Sequence, residues 1–126
     1  MQPAVKELDH NYLLHFYQDM TDELGEIFEL FLLETEPTVL KIITLIKKSD
    51  LVTAEEELHK IAPSFYSVGL PQLTTKLTVV DKVVKAGNAK KASDLITIFY
   101  EDFKTYLPAV EAEMERLQSV KACACN

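Results

Sequence analysis

The chain has 126 residues, of which 48% are hydrophobic and 26% are charged. This composition is sufficient for one packed core and too apolar for a disordered chain. We expect one domain over residues 1–126, with its core at about residues 9–118 and a flexible tail at 119–126. The formal net charge of −7 argues against a nucleic-acid partner. The apolar runs are much shorter than the roughly 20 residues of a membrane-spanning helix, so no membrane contact is expected.

Apolar residues recur at helical spacing in four long segments, and no segment alternates as a half-buried strand does. The pattern predicts an all-α fold, an antiparallel four-helix bundle with a short additional N-terminal helix at residues 12–20 that covers one end. The first long helix is expected to begin near Asp22 and to end near Lys48, with Pro37 bending it rather than ending it. Its predicted buried face consists of Leu24, Phe28, Phe31, Thr35, Ile42 and Ile46.

Capping residues mark the junctions between the later helices. Ser49 and Asp50 offer N-cap oxygens for the second helix, and Gly69 separates that helix from the third. Gly87 is the expected glycine stop of the third helix, and Asn88 is the N-cap of the fourth. The predicted buried faces are Leu51, Ala54, Leu58, Ile61 and Phe65 in the second helix; Leu70, Leu73, Leu77, Val80 and Val84 in the third; and Ala92, Leu95, Phe99, Phe103, Tyr106, Val110, Met114 and Leu117 in the fourth.

The two cysteines, Cys123 and Cys125, stand two positions apart near the end of the chain. They are too close in sequence to join distant parts of the fold, and two thiolates alone make an incomplete metal site. A reducing, cytoplasmic location fits this cysteine usage best.

Three histidines are candidates for chemistry, and their surroundings distinguish them. His10 and His15 fall in the N-terminal stretch without an organised polar neighbourhood, and we interpret both as structural or surface residues. His59 lies in mid-helix beside the buried face, with Glu55 one turn before it and Pro63 one turn after it. A rigid helix is thus expected to hold this imidazole within reach of solvent. A neutral imidazole has the lone pair that can attack an activated phosphorus atom.

The eleven residues that begin at His59 resemble the signature of histidine-containing phosphotransfer (HPt) domains. In that family the histidine is followed by an aliphatic residue at +2, lysine at +3, glycine at +4, a small residue at +5 and glycine at +10. The matching positions are Ile61, Ser64 and Gly69, and the departures are Ala62 and Pro63. The order of the predicted helices also resembles HPt domains, over about residues 9–117.

The resemblance implies a phosphoryl carrier rather than an enzyme. His59 would accept a phosphoryl group from the phosphoaspartate of a response-regulator receiver domain and pass it to another receiver domain in a two-component phosphorelay. A sensor or hybrid histidine kinase is the implied source of phosphate, and the receiver is expected to bring the magnesium ion, so the chain itself needs no cofactor or metal. The sequence has no Gly-rich phosphate loop and no kinase motif, in line with this role. We expect a cytoplasmic monomer.

The two departures from the signature concern the positive charge next to the phosphoryl group and the approach of a partner to His59. In the family the +3 lysine offsets the charge of the phosphoryl group, which Ala62 cannot do. Lys60 from the same helix, and Lys82 and Lys85 from the next, are the candidate replacements. Pro63 stands where the family's glycine allows close approach of a partner, and it also removes one helical N–H donor.

Three residues near His59 are candidates for an apolar surface on which a receiver docks. They are Ala62, Pro63 and Tyr66. The same residues also fit ordinary positions at the boundary of a helical core, and both interpretations stay open. Ser64 and Gly69 are expected to support the site because they match the signature.

Two alternatives to phosphotransfer follow from the sequence. The first is an HPt-like module that binds receiver domains without accepting phosphate, which the loss of the +3 lysine favours. The second is a di-metal carboxylate bundle, because Glu56 with His59 and Glu7 with His10 both have the Glu-x-x-His spacing. Such a bundle also needs inward glutamates on two further helices, and the predicted buried faces contain none.

Overall fold

The computed structural model describes residues 7–124, apart from the side chains of residues 11, 12, 14–22 and 120–124. Its helices are α1 (His10–Lys47), α2 (Leu51–Ser67), α3 (Pro71–Lys85) and α4 (Ala89–Ala124). Three-residue connections join successive helices, and no strand occurs among the described residues. The predicted all-α fold with four long helices is confirmed.

The helices pack as a closed ring. α1 contacts α2 and α4, and α3 contacts the same two helices. Because each short connection reverses the chain, helices that follow one another run antiparallel, and the contact between α1 and α4 closes the bundle. One continuous cluster of buried apolar side chains fills the interior.

The predicted helix faces form this core. All of the predicted positions are buried except three that are half-buried, Leu51, Leu95 and Met114. Phenylalanines from three helices meet in the core: the rings of Phe31 and Phe65 are 5.4 Å apart in a T-shaped arrangement. Phe99 and Phe103 of α4 lie 5.7 and 5.8 Å from the ring of Phe65. Edge-to-face contacts of this kind add to the free energy gained by burying the rings.

Two predicted N-caps and one predicted glycine stop are confirmed. The Asp50 carboxylate accepts a hydrogen bond from the Thr53 N–H at 3.3 Å, at the start of α2. The Asn88 side chain accepts one from the Lys91 N–H at 3.1 Å, at the start of α4. Gly87 follows α3 with a φ of 78°, the left-handed conformation that glycine adopts without strain.

The prediction that Ser49 caps α2 is wrong. Ser49 instead follows the end of α1 in the left-handed conformation, with a φ of 61°. Its N–H donates to the Ile46 carbonyl at 2.9 Å, and the Asp50 N–H donates to the Leu45 carbonyl at 2.9 Å. This pair of bonds is the Schellman arrangement, which reverses the chain in few residues and requires one left-handed residue. Ser49 therefore serves as the stop of α1.

The predicted short N-terminal helix is not a separate element, because α1 runs without interruption from His10 to Lys47. Residues 10–24 contain no glycine or proline that would end a helix, and this explains the continuity. The prediction that α1 continues through Pro37 is confirmed. The side chains of residues 14–20, which were expected to cover one end of the bundle, lie outside the described residues.

The start of α1 nevertheless lies against the end of α2. The Asp9 N–H donates to the Gly69 carbonyl at 2.8 Å, and Leu13 is completely buried next to Gly69. A straight helix would rise about 33 Å between residues 9 and 31. However, Phe31 contacts Phe65, which is only four residues from Gly69. α1 is therefore sharply bent between these residues, so that its first turn returns to this end of the bundle.

α4 is longer than predicted. The tail expected at residues 119–126 is helical through Ala124, because no glycine or proline after Pro108 ends the helix. Residues 125 and 126 lie outside the described part of the chain. Despite the length of α1 and α4, no helix of the described residues has an apolar stretch long enough to cross a membrane.

Candidate functional site

His59 lies near the middle of α2, and 59% of its side chain is exposed. The preceding residue, Leu58, is buried in the core, so packing fixes the backbone while the ring stays accessible. The imidazole Nε2 lies 3.3 Å from Oδ1 of Asp81 on α3. Glu55, one turn earlier on α2, places its Oε1 3.9 Å from the same Nε2. Two carboxylates therefore flank the Nε2 atom of His59.

Asp81 is largely buried, with 15% of its side chain exposed. Its Oδ1 is buried and accepts no hydrogen bond from any described residue, and the His59 Nε2 at 3.3 Å is its nearest polar neighbour among the ion pairs of the site. Its Oδ2 is 3.0 Å from the Lys85 Nζ. A buried carboxylate oxygen without a donor is a strong acceptor, so Oδ1 can take a proton or a cation.

Lys85 balances the charge of both carboxylates. Its Nζ also lies 3.8 Å from Oε1 of Glu55. The hydrogen bond and the negative charge of Asp81 raise the pKa of Lys85 above its ordinary value of 10.5. Lys85 is therefore a cation at neutral pH. Among the three candidate lysines, it is the one that the structure brings to the carboxylates at His59.

A depression of about 250 Å³ lies beside His59, between α2 and α3. It is lined by Leu58, His59, Ala62, Pro63, Leu77, Thr78 and Asp81. The Thr74 hydroxyl donates to the Ala62 carbonyl at 3.0 Å and so ties α3 to α2 along this depression. In an α-helix the carbonyl of His59 would accept a hydrogen bond from the N–H of residue 63. Because Pro63 has no N–H, this carbonyl lacks its usual donor. Two of the three predicted docking residues, Ala62 and Pro63, thus adjoin the imidazole.

Lys60 and Ser64 face a different side of α2. The Lys60 Nζ lies 3.6 Å from Oε1 of Glu57, which is buried and also pairs with Lys41 of α1 at 3.2 Å. Lys60 and Ser64 line a second depression, formed with residues of α1. The structure therefore does not bring these two candidate residues to Asp81.

The remaining predicted residues lie on the surface near α2 and α3. Lys82 is exposed and forms no ion pair with a described residue. It lies about 100° around α3 from Asp81, which turns it away from the carboxylate pair. Tyr66 is exposed and lies seven residues after His59, about two turns along the same side of α2. Tyr66 thus extends the surface on which His59 lies.

Gly69 ends α2 and does not lie beside His59. With a φ of 76°, it ends α2: its N–H donates to the Tyr66 carbonyl at 3.2 Å, and the Leu70 N–H donates to the Phe65 carbonyl at 2.8 Å. This is a Schellman motif, and it lies about 15 Å along the chain direction from His59. The glycine of the signature is thus accounted for by the helix end.

His10 is less enclosed by carboxylates than His59 is. His10 is exposed, and its Nδ1 lies 3.6 Å from Oε2 of a single carboxylate, the buried Glu113 of α4, which also pairs with Arg116. The side chain of His15 lies outside the described residues. Glu56, which completes the Glu-x-x-His spacing with His59, is exposed, and the structure gathers Glu55 and Asp81 around His59 instead.

Sequence reasoning missed Asp81 as a site residue. One signal was present: Asp81 and Lys85 are four residues apart on α3, the spacing of a helical ion pair. Asp81 also directly follows the buried Val80, as His59 directly follows the buried Leu58. The sequence could not supply the rotation of α3 about its axis relative to α2. That rotation decides whether Asp81, at the edge of the buried face of α3, lies next to His59, at the edge of the buried face of α2.

No protein-family model, no curated protein and no solved structure matches this chain. The likeness to HPt domains therefore rests on the sequence signature and the predicted order of helices. The geometry around His59 is the independent basis for a function.

Proposed function

We propose that this chain is a histidine phosphotransfer protein, which accepts a phosphoryl group on His59 from a receiver-domain phosphoaspartate and passes it to a second receiver domain. The observation that carries the proposal is an exposed imidazole on a rigid helix, beside a largely buried carboxylate and a lysine that is a cation at neutral pH. The open side of the ring allows an active site of another protein to approach. The chain then needs to contribute only the nucleophile and its immediate surroundings.

The transfer step uses the Nε2 atom of His59. Its lone pair attacks phosphorus, the N–P bond forms as the bond from phosphorus to the receiver's aspartate oxygen breaks, and the carboxylate stays on the receiver. A ring that is protonated on both nitrogens must first lose the Nε2 proton, while Nδ1 keeps its own. Asp81 Oδ1, at 3.3 Å from Nε2, is positioned to accept that proton. Transfer to the next receiver runs through the same step in reverse.

Lys85 supplies the positive charge that the signature places at the +3 position. A phosphoryl group on His59 brings additional negative charge close to Glu55 and Asp81. The Lys85 Nζ pairs with both carboxylates and offsets part of that repulsion. Ala62, which stands at the +3 position, is small and uncharged. It therefore lines the depression without contributing a positive charge.

The partner covers the surface formed by α2 and α3 next to His59. Ala62, Pro63 and Tyr66 offer apolar contact along α2, and the depression receives part of the partner's surface. The receiver provides the magnesium ion and the acceptor carboxylate, and a sensor or hybrid histidine kinase supplies the phosphate in the cytoplasm. The chain acts as a carrier without ATP chemistry of its own.

The test is incubation of the purified chain with a receiver domain phosphorylated by labelled acetyl or carbamoyl phosphate. We expect label on this chain that is acid-labile and alkali-stable, as a phosphohistidine is. His59→Gln should abolish it. His10→Gln is the matched control, because His10 is equally exposed and also lies beside a carboxylate, and it should retain full labelling. Label that persists in His59→Gln would contradict the proposal.

A second candidate function is a receiver-binding module that does not accept phosphate. It is favoured by the two carboxylates next to Nε2, since they repel an incoming phosphoryl group. Calorimetry with the same receivers distinguishes the two functions. Binding that His59→Gln leaves unchanged, together with no label across a panel of receivers, would replace phosphotransfer by this module.

A further inference from the structure

The group around His59 also has the composition of a metal site. Glu55, His59 and Asp81 each place one ligand atom within 4.8 Å of the other two. Glu55 and His59 are four residues apart on α2 and therefore share one face of that helix, and Asp81 comes from α3. Two ligands from one helix and a third from its neighbour form three corners of a coordination shell. The exposed side of the imidazole leaves a fourth position open to water.

The three ligand atoms lie within 4.8 Å of one another, close to the separations around a single metal ion. Zn²⁺ binds imidazole nitrogen and carboxylate oxygen at about 2.0–2.1 Å, which separates neighbouring ligands of a tetrahedron by about 3.3 Å. The His59 Nε2 lies 3.3 Å from the Asp81 Oδ1 and 3.9 Å from the Glu55 Oε1. The first pair is already at the required separation. The second needs only a small rotation of the Glu55 side chain, which is partly exposed.

The state of the Asp81 carboxylate is a second, independent indication. Its Oδ1 is buried and accepts no hydrogen bond from the described residues, and its one close polar neighbour is the His59 Nε2. A buried anionic oxygen costs free energy unless a donor or a cation compensates it. The Lys85 Nζ holds the other oxygen, Oδ2, at 3.0 Å and thereby fixes the orientation of the carboxylate. Outer contacts of this kind orient the ligands of metal sites.

We propose that Glu55, His59 and Asp81 bind one Zn²⁺ ion per chain. The set of one imidazole and two carboxylates favours zinc over magnesium, which prefers six oxygen ligands in octahedral geometry. The metal takes the Nε2 lone pair. A zinc-bound chain therefore cannot be phosphorylated on His59, and this regulatory consequence rests on the proposed phosphotransfer function, whereas binding of the ion does not.

Zinc binding is tested by competition with a chromophoric chelator and by calorimetry. The full chain carries Cys123→Ser and Cys125→Ser, so that thiolates do not contribute. We expect one Zn²⁺ per chain, and His59→Gln and Asp81→Asn should each weaken binding by at least about tenfold, since even outer contacts contribute about tenfold or more. His10→Gln, which alters a histidine beside one carboxylate, should bind as the parent does. Equal affinity in the parent and Asp81→Asn overturns the site.

A spectroscopic measurement identifies the ligands directly. Co²⁺ in place of Zn²⁺ gives visible absorption bands whose intensity reports tetrahedral coordination. We expect these bands in the cysteine-free chain and their loss in both His59→Gln and Asp81→Asn. Bands that survive both substitutions overturn the proposal, and Mg²⁺ in tenfold excess should not displace the bound Co²⁺.

The regulatory step is tested separately from binding. Zn²⁺ at saturating concentration should suppress labelling by the phosphorylated receiver, and a chelator should restore it. Glu55→Gln removes one metal ligand together with one negative charge beside Nε2, so its labelling rate is first measured without Zn²⁺. Relative to that rate, the variant should require about tenfold more Zn²⁺ for suppression. Equal sensitivity of this variant and the parent overturns regulation at this site. Zinc binding as predicted without any labelling would instead contradict the phosphotransfer function and leave the metal site standing.

Discussion

Lys85 is the lysine that pairs with both carboxylates beside His59. Its Nζ lies within ion-pair distance of both Asp81 and Glu55, and half of its side chain is exposed. A partly exposed charge contributes modestly, so Lys85→Met should slow phosphoryl transfer to His59 by about three- to tenfold. The measurement is the rate of label uptake from a phosphorylated receiver. Lys82→Met is the matched control, because Lys82 is exposed on the same helix, and it should leave the rate unchanged.

The pH dependence of this effect follows from the direction of the Lys85 pKa. Asp81 raises that pKa above 10.5, so the favourable charge of Lys85 is fully present at lower pH and is lost only as the pH rises through the shifted value. The ratio of rates between the parent and Lys85→Met should therefore stay constant from pH 6 to 9. A ratio that falls within this range would show that another group provides the charge.

At this scale the sequence singled out His59 as the candidate nucleophile but did not single out the lysine that lies beside its carboxylate neighbours. The position of His59 next to a buried face is a property of one helix, which periodicity predicts. Choosing Lys85 over Lys60 and Lys82 requires the rotation of two helices about their axes, which depends on how their side chains interlock. Asp81 was missed for the same reason, since its carboxylate becomes part of the site only where α3 meets α2.

The helix ends contain one residue that tolerates an unfavourable backbone conformation. Ser49 adopts a φ of 61° at the end of α1, where the left-handed conformation costs a non-glycine residue about 1 kcal/mol. Ser49→Gly should therefore raise the free energy of unfolding by about 0.5–1 kcal/mol, measured by urea denaturation. Gly87 has a similar φ of 78° and no neighbouring atom within 4 Å of an added Cβ. Gly87→Ser should lower stability by a similar amount, and equal stability of all three chains would refute the argument.

At the scale of elements, local chemistry determined which predictions were correct. Asp50, Asn88 and Gly87 were assigned correctly because a carboxylate or amide N-cap and a glycine stop act within one turn of chain. Ser49 was misassigned because serine is favoured at an N-cap, while the three-residue connection needed a left-handed residue at that position. The start of α1 was predicted to be separate, although its sequence contains nothing that ends a helix.

At the scale of the molecule, the bundle follows from periodicity because four apolar faces can be buried together in only a few ways. Phe65 is completely buried and contacts the rings of Phe31, Phe99 and Phe103, which come from α1 and α4. Phe65→Ala should therefore lower the free energy of unfolding by about 3–5 kcal/mol, through lost burial and the cavity left behind. Val52→Ala on the exposed side of α2 is the control, and it should stay within about 0.5 kcal/mol of the parent.

The same substitution tests whether the bundle unfolds as one unit. Since the phenylalanine contacts join three helices in one continuous core, no helix can lose its packing without weakening the others. Far-ultraviolet circular dichroism, which reports helix, and near-ultraviolet signals from the tyrosines should give the same denaturation midpoint in the parent and in Phe65→Ala. The slope of the free energy against urea should also stay unchanged, because both chains expose the same surface when they unfold. Separate midpoints in the parent would mean that the long α1 and α4 unfold apart from α2 and α3, and His59 would then lie on a part of the fold that opens independently.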